Sequence, residues 1–324
     1  MSQIRRRQFL IAAGALLTLP LADARPEGPR PVRIGVLLPV SRAESIWPKL
    51  LPPELHKLGW VEGKNVAIEW RSAERQPGRL PNLAAELVNL NVQVIVAIGE
   101  AEAVAARRAT RSIPIVTVLA IDPVNRGLAA SLARPGGNVS GVMFGDLEFV
   151  WKSIEILQQM LPRMQRIGIV YAKGRHHVDW GQLEILLRQR GIEPFFLPVL
   201  DSADLQRALA VAKKKQVDAL KVFTGGAVSG EQVRAFSVAN RIPTDWVISA
   251  DVDRGGLMSY APMYSENAAR AAAMIDKILR GASTADLPFE YPSRYQLVVN
   301  LAAAKELGIT VPQSILLRAD RVVE

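Results

Sequence analysis

Few of the side chains that usually carry catalysis occur in this chain of 324 residues. Cysteine is absent, and the three histidines are His56 in a helical pattern and the adjacent pair His176 and His177 in a loop. No H-x-x-x-H or H-E-x-x-H spacing occurs, so a zinc site would depend mostly on carboxylates. An adjacent loop pair is more often a solvated surface feature than a metal site, and we predict no bound metal.

The motifs of nucleophilic and cofactor chemistry are also missing. There is no G-x-S-x-G turn that would present a hydrolase nucleophile. Glycine-rich stretches occur at Arg134–Asn138, Thr224–Gly226 and Arg254–Gly256. None has the G-x-G-x-x-G spacing of a dinucleotide site or the G-x-x-x-x-G-K-[ST] pattern of a phosphate loop. We therefore predict no catalytic residue and no cofactor, and we do not expect an enzyme.

Short apolar runs alternate with helical patterns along nearly the whole chain. The runs predict strands at residues 32–38, 66–70, 92–99, 113–120, 138–144, 166–172, 195–200, 217–223, 246–249, 257–260 and 295–299. Between two of these runs, Leu80, Leu83 and Leu87 mark one face of a helix. Strands this apolar are usually covered by helices on both faces, as in parallel sheets. The alternation predicts an α/β fold of two doubly wound, Rossmann-like lobes.

The ends of these strands are where a ligand site is expected. In doubly wound sheets, ligands bind beyond the carboxyl ends of the strands, where helix N-termini offer free N–H groups. Strand-end position alone selects Ser41, Thr224 and Asp251 as ligand-binding candidates. Tyr171 also ends a strand, where it either stacks on a ligand or packs half-buried in the lobe.

The N-terminal segment has the features of an export signal. Arg5–Arg7 are followed by about 13 mostly apolar residues, too few to span a bilayer comfortably, and then by Ala22-Asp23-Ala24. The stretch Arg6–Leu10 resembles the twin-arginine export pattern. We predict a signal peptide over residues 1–24, cleaved near Ala24, a linker over 25–31 and a periplasmic mature protein. An uncleaved membrane anchor is the alternative, and the export route, twin-arginine or general secretory, stays open.

The formal net charge of +9 raises the question of nucleic-acid binding. The basic residues are scattered, and the one dense run, Lys213–Lys215, lies at the end of a helical pattern. A solvated helix face explains that run. Together with the expected compartment, this distribution predicts no nucleic-acid partner.

Long segments resemble one family of bacterial ABC-transporter substrate-binding proteins. The second half carries G-G-L-M-S-Y from Gly255, D-K-I-L-R-G from Asp276, A-D-L-P-F-E-Y-P from Ala285 and L-V-V-N-L-A-A-A-K-E-L-G from Leu297. Similar segments of the first half lie at residues 55–74, 79–99 and 113–141. Together these segments are spread along most of the chain that follows the export signal, from residue 55 to residue 308.

The resemblance implies the type I periplasmic-binding fold, with two lobes joined by three crossover segments. On that pattern the N-terminal lobe takes residues 32–141 and 257–286, and the C-terminal lobe takes residues 142–256 and 287–324. It also implies a monomer that closes over a small ligand, for which an amino acid or a related amine-bearing solute is the candidate. The closed protein is expected to dock transiently on a membrane permease with its ATPase subunits. A sensor that passes a ligand signal to a chemoreceptor or kinase is one alternative, and a secreted cofactor-dependent enzyme is another.

The resemblance adds site candidates and also shows where this chain departs from its relatives. Asp122 lies in the family's D-P-V turn, where it either binds a ligand amine or caps the helix that follows. Tyr260 lies in the G-G-L-M-S-Y strand, where it is either a ligand contact or hinge packing. After Gly99 many relatives have Ser or Thr, whereas this chain has Glu100, which would favour a cation or hydroxyl groups over an anion. Trp47 and Trp180 are candidates for an aromatic wall or for ordinary packing.

Overall fold

The computed structural model describes residues 31–145, 147–173, 179–223 and 228–324, and Val32–Glu324 form one compact unit. Two sheets organise these residues. The strands of the first sheet are β1 (Val32–Leu38), β2 (Val66–Ser72), β3 (Val94–Ile98), β4 (Ile115–Ala120) and β5 (Val139–Met143). They lie in the order β2-β1-β3-β4-β5, and every adjacent pair is parallel.

The second sheet has the order β12-β11-β10-β9-β8-β6-β7. Its strands are β6 (Arg166–Ala172), β7 (Glu193–Val199), β8 (Ala219–Val222), β9 (Thr244–Trp246), β10 (Met258–Pro262), β11 (Tyr295–Asn300) and β12 (Arg321–Val323). One pair, β10 with β11, is antiparallel, because β11 enters the sheet after the chain has visited the other lobe. The sequence analysis did not predict β12.

Helices cover both faces of each sheet. They are α1 (Trp47–Lys57), α2 (Leu80–Asn89), α3 (Glu100–Ala109), α4 (Leu147–Met160), α5 (Trp180–Gln189), α6 (Ser202–Lys214), α7 (Gly230–Asn240), α8 (Ala250–Asp253), α9 (Tyr264–Leu279), α10 (Leu301–Leu307) and α11 (Gln313–Leu316). In the first lobe, α1 and α9 bury their apolar faces on one side of the sheet, and α2 and α3 bury theirs on the other. In the second lobe, α4 and α5 cover one side and α6 and α7 cover the other. The predicted α/β class with two doubly wound lobes is confirmed.

The chain passes between the sheets at positions that differ from the predicted ones. Strand β10 pairs with β9 and β11 in the second sheet, so the chain returns to the first lobe after Pro262 and not at Gly255–Leu257. Glu290 still bridges Val142 of the first sheet, so the last passage follows Glu290 and not residue 287. The apolar pattern of β10 shows that both its faces are covered, but it does not show which sheet provides its neighbours.

A charged pair lies inside the second lobe. Lys221 on β8 donates hydrogen bonds from Nζ to Asp245 Oδ2 on β9, at 2.8 Å, and to Ser153 Oγ on α4, at 2.6 Å. Ser153 also donates to Asp245, and all three side chains are fully buried. Burial lowers the pKa of Lys221 and raises that of Asp245, while the attraction between the two charges opposes both shifts.

Candidate functional site

A cleft of about 920 Å³ lies between the two lobes. Its walls follow the carboxyl ends of strands from both sheets, at Pro39 after β1, Gly99 after β3 and Ile121 after β4, and at Leu200 after β7 and Val247 after β9. This is the position at which doubly wound sheets bind ligands. The volume lies in the range typical of small-molecule sites.

Helix N-termini from both lobes face this cleft. The first lobe presents the start of α3, and the second presents the starts of α6 and α7. Asp201 caps α6 by accepting a hydrogen bond from Asp204 N at 2.8 Å, and Ser229 caps α7 by accepting one from Gln232 N at 3.4 Å. The partial positive charge at such helix ends favours an anionic group of a ligand.

Gly99 shapes the start of α3. Its φ of 118° lies in a region that residues with a Cβ atom rarely adopt, so glycine allows the chain to turn from β3 directly into the helix. The Gly99 amide donates to Val118 O at 2.9 Å and ties this turn to β4. As a result, the side chain of the next residue, Glu100, starts at the edge of the cleft.

Glu100 is a buried carboxylate on the cleft wall, only 2% exposed. One oxygen, Oε1, accepts a hydrogen bond from Asp122 N at 2.8 Å. The other, Oε2, lies 3.6 Å from Arg126 Nε and accepts no hydrogen bond from the residues the structure describes. Burial raises the pKa of Glu100, and the Asp122 amide and the Arg126 charge offset part of that rise. Oε2 therefore keeps an unused hydrogen-bond acceptor position in the wall of the cleft.

Asp251 is the corresponding buried acid of the second lobe, at 5% exposed. Its Oδ1 lies 3.1 Å from Arg234 Nη1 and 3.6 Å from Arg254 Nη1. Both arginines also line the cleft, so the charge of Asp251 is balanced within the protein. Asp251 positions Arg234, and the pair offers both donors and an acceptor to a ligand.

The apolar part of the cleft includes aromatic rings that bring the lobes together. Trp47 and Tyr264 lie edge to face with ring centroids 6.2 Å apart. Tyr264, the first residue of α9, donates a hydrogen bond from its hydroxyl to Val247 O of the second lobe at 3.4 Å. Burial raises the pKa of Tyr264 far above its usual range, so the hydroxyl stays protonated and remains a donor. Phe144 also lines the cleft, and its ring lies edge to face with that of Phe149, with centroids 5.3 Å apart.

Leu119 lines the cleft in a strained backbone conformation. Its φ is 66°, at an irregularity in the pairing of β4 with β5 between Val118 and Ala120. A residue with a branched side chain in this region stores about 1–3 kcal/mol of strain. The side chain packs against the apolar clusters of both lobes, and this packing holds it in place.

Charged residues form the edge of the cleft near α1. Glu44 and Arg75 both line the cleft, and they form an ion pair at 3.1 Å. Ser41 donates a hydrogen bond from Oγ to Glu44 Oε2 at 2.9 Å. The Ser41 hydrogen bond, followed by Arg75, lowers the pKa of Glu44. Ser41 is therefore next to a lining residue, Val40, but does not line the cleft itself. It holds the side chain of Glu44, which does, through this hydrogen bond.

The structure brings some of the predicted site residues together and leaves others apart. Gly99, Glu100 and Asp251 line the cleft. Asp122 is absent from the lining, and the helix that it was expected to cap does not form, because residues 123–127 form a turn; within that turn its side chain accepts hydrogen bonds from Asn125 N at 3.3 Å and Asn125 Nδ2 at 2.7 Å. Thr224 lies outside the described residues, as do His176, His177 and the predicted signal peptide.

Two predicted tyrosines lie in ring clusters of the second lobe and not in the cleft lining. Tyr171 packs against Trp180 with centroids 4.3 Å apart. Tyr260 stacks between Phe149 and Tyr295, at 6.1 and 5.5 Å. For both tyrosines the structure matches the packing alternative, and burial raises the pKa of both.

Several lining residues were not predicted from the sequence. Tyr264 is the first residue of α9, four residues beyond the predicted strand end at 260, and Arg234 is the fifth residue of α7, so neither directly follows a predicted strand. Ser229 could have been predicted from the sequence, because a serine before a helical pattern is a common N-cap. Within the described ranges, no group of three or more His, Cys, Asp or Glu is placed to hold a metal ion. None of the described helices is long and apolar enough to cross a membrane.

Comparisons with known proteins agree on one group of relatives. Residues 51–323 match a family model described as ABC transporter substrate binding protein. A tyrosine-binding protein of Clostridioides difficile (strain R20291) is 26% identical over 259 residues, which cover 79% of this chain and 74% of that protein.

Two solved structures extend the comparison to the fold. A Streptococcus pneumonia ABC domain in complex with L-Trp aligns with a TM-score of 0.84 at 24% identity, over 90% of this chain and 100% of that one. A ligand-free, open structure of a Clostridium difficile substrate binding protein with adhesive properties aligns with a TM-score of 0.67 at 26% identity, over 90% and 99% of the two chains. The first of these likenesses concerns the fold alone.

Proposed function

The chain belongs to the family of ABC transporter substrate-binding proteins, and from this premise we propose that it is the solute-binding component of an ABC import system. The family resemblance and the type I periplasmic-binding fold predicted from the sequence are both confirmed. Its relatives are solute-binding proteins, not enzymes. The proposal concerns what the cleft binds, how binding changes the molecule and where the protein acts.

The observation that carries the proposal is a cleft whose polar groups come from both lobes. A ligand that contacts Glu100 on one side and Arg234 or the start of α7 on the other stabilises the arrangement in which these groups are close. Only such a difference in affinity between open and closed states can shift their populations. The crossover segments between the lobes would absorb the backbone rotation.

The cleft favours an amino acid as its ligand. An ammonium group can donate to the buried Glu100 Oε2, and a carboxylate can accept from helix N–H groups or from Arg234. The aromatic rings of Trp47, Phe144 and Tyr264 offer an apolar surface for a side chain. The relatives named as tyrosine-binding and crystallised with L-Trp support an aromatic amino acid.

The comparisons also support a closed arrangement of the lobes. At equal coverage of this chain and similar identity, the TM-score is 0.84 with the L-Trp complex and 0.67 with the ligand-free, open structure. The contact of Tyr264 with Val247 across the lobes fits the same arrangement. We infer that the described conformation is the one that holds ligand.

The site of action follows from the N-terminal pattern and the family. The arginines, the apolar run and Ala22-Asp23-Ala24 support export with cleavage near Ala24, and with them a periplasmic mature protein. There the closed form would dock transiently, as a monomer, on a membrane permease whose ATPase subunits supply the energy.

A thermal-shift screen tests the proposal. The protein is unfolded, stripped of ligand, refolded and offered amino acids, polyamines, carboxylates and sugars. An aromatic amino acid at about 100 times its Kd stabilises the native state by about 2.7 kcal/mol, which corresponds to a rise in Tm of roughly 5–10 °C. Failure of every compound to raise the Tm would remove the basis for the transport function.

A further inference from the structure

A second, smaller cavity lies on the first lobe, away from the cleft between the lobes. Its volume is about 190 Å³. It forms between the C-terminal half of α3 and the turn that follows β4, and it shares no lining residue with the cleft. We call it the arginine pocket, since its lining consists of Val104, Arg107, Arg108, Arg111, Arg126, Gly127 and Leu128.

Three of these arginines come from one short stretch of chain at the end of α3. Arg107 and Arg108 lie in the last turn of the helix, and Arg111 lies two residues beyond its end; all three line the same cavity. Like charges brought together in this way repel one another. No carboxylate is among the described residues that line the pocket, and Arg126 lies 3.6 Å from an acid outside the lining, Glu100.

The hydrogen bonding of Arg107 gives the clearest indication that the pocket lacks a negatively charged partner. Its Nε and Nη1 atoms are buried and find no acceptor among the described residues. A buried guanidinium N–H without an acceptor loses its hydration and gains nothing in return. Burial, followed by the nearby charge of Arg111, lowers the pKa of Arg107. An anion in the pocket would supply hydrogen-bond acceptors to Arg107, and it would also reduce the repulsion between the arginines.

We propose that the arginine pocket binds a small oxyanion of the charge and geometry of inorganic phosphate. Planar guanidinium groups present paired N–H donors that match the oxygens of phosphate, which favours a multiply charged tetrahedral anion over a monoanion. Arg107 supplies buried donors, and Arg108 and Arg111, which are exposed, supply further positive charge. The inference does not depend on which solute occupies the cleft.

Isothermal titration calorimetry of the purified protein tests this proposal. Inorganic phosphate, sulfate, acetate and chloride are titrated at constant ionic strength in a buffer free of phosphate and sulfate. We expect saturable one-to-one binding of phosphate and no saturable binding of acetate or chloride. Arg107→Gln should weaken phosphate binding about tenfold or more, because it removes charge-assisted hydrogen bonds.

Two further variants separate a site from a general charge effect. Arg108→Gln removes an exposed arginine of the pocket and weakens phosphate binding even if Arg107→Gln folds poorly, which circular dichroism would reveal. Arg163→Gln removes an exposed arginine of the second lobe and leaves the Kd within about twofold. Absence of saturable phosphate binding, equal binding of acetate, or an Arg163→Gln effect as large as that of Arg108→Gln would each overturn the proposal.

Discussion

Glu100 experiences two opposing electrostatic effects. Its burial disfavours the charged form, whereas the start of α3, the Asp122 amide and Arg126 favour it. The net result is a raised pKa, which means that the ligand-free protein loses stability by keeping this carboxylate charged. A ligand ammonium group that donates to Oε2 would remove this cost at the moment of binding. The residue therefore connects affinity with stability.

Replacing Glu100 with Gln should change stability and binding in opposite directions. A group whose folded-state pKa is raised stabilises the folded protein below its unfolded-state pKa and loses that contribution as the pH rises through the folded-state value. At pH 7 to 8 the Glu100→Gln variant should therefore be more stable without ligand, by roughly 2 °C or more in Tm for each kcal/mol recovered. Differential scanning calorimetry across pH 4 to 8 should show the two Tm curves converging at low pH.

The same variant should lose affinity for any amine-bearing ligand found by the screen, by about tenfold or more. Glu231→Gln is the matched control, because Glu231 also lines the cleft but is exposed. It changes the net charge equally and should alter the Kd by no more than about threefold. Equal losses in the two variants, or unchanged affinity in Glu100→Gln, would remove Glu100 from the ligand site.

The Lys221–Asp245 pair should be sensitive to the loss of one partner. Lys221→Met leaves Asp245 buried without its counter-charge, and we expect the free energy of unfolding to fall by about 3–5 kcal/mol. Urea denaturation followed by circular dichroism measures the change. Lys152→Met, which removes a partly exposed lysine paired with Glu155 at 2.9 Å, should cost less than about 1 kcal/mol.

A double variant separates the effect of a stranded charge from the loss of packing. Adding Asp245→Asn to the Lys221→Met variant removes the unpaired negative charge. This second change should recover part of the lost stability, because the unpaired carboxylate causes most of the loss. If Lys221→Met costs less than 1 kcal/mol, or if the Asn replacement makes it worse, the pair does not stabilise the second lobe in the way proposed.

At the scale of elements, apolar runs predicted most strands well. The predicted bounds of β1 and β6 match those in the structure, and β3, β4 and β5 shift by only one or two residues. A run records that both faces of a strand are covered, but not which neighbour lies beside it. For that reason β10 was assigned to the wrong lobe. β12 has three residues and an exposed centre, so it carries no apolar signal.

The lining of the cleft was predictable only where one strand end defines it. Gly99, Glu100 and Asp251 follow a strand or lie at the start of a helix, and the topological rule led to residues that line the cleft; their contact with a ligand stays a prediction. Tyr264 on α9 and Arg234 on α7 line the same cleft, but their positions depend on how these helices pack in the folded protein, which the local sequence does not show. Tyr171 also satisfies the strand-end rule, yet its ring packs on Trp180, because a large apolar ring is buried wherever neighbouring rings allow it.

The pairing of β4 with β5 depends on one glycine. A Cβ atom on Gly141 would lie 2.0 Å from Thr117 O, a backbone atom that cannot move without breaking the sheet. We expect Gly141→Ala to lower the free energy of unfolding by about 2 kcal/mol or more. Gly137→Ala is the matched control, because it lies just before β5 with nothing within 4 Å of its added Cβ. Equal free energies of unfolding in the two variants would show that β5 moves to accommodate the added Cβ atom without loss of stability.

At the scale of the whole molecule, two side chains that line the cleft connect the lobes. Leu119 and Tyr264 both pack against apolar clusters of the two lobes. Domains of one chain move relative to each other unless their interface is large and apolar. If the described arrangement is the closed one, as we propose, ligand contacts would have to offset the backbone strain of Leu119 and add to the hydrogen bond from Tyr264 to Val247 O.

Small-angle X-ray scattering should detect this motion. The stripped, refolded protein should be more extended than the ligand-bound protein, and ligand should bring the radius of gyration toward about 19 Å, the value for a compact chain of ~290 residues. Tyr264→Phe removes the hydroxyl that donates to Val247 O, so it should shift the ligand-free population further toward the open form and weaken binding a few-fold. The scattering curve calculated from this structure should fit the ligand-bound sample and misfit the stripped one. Identical curves with and without a ligand that raises the Tm would mean that the solute binds without closing the lobes, and the differential-affinity mechanism would be wrong.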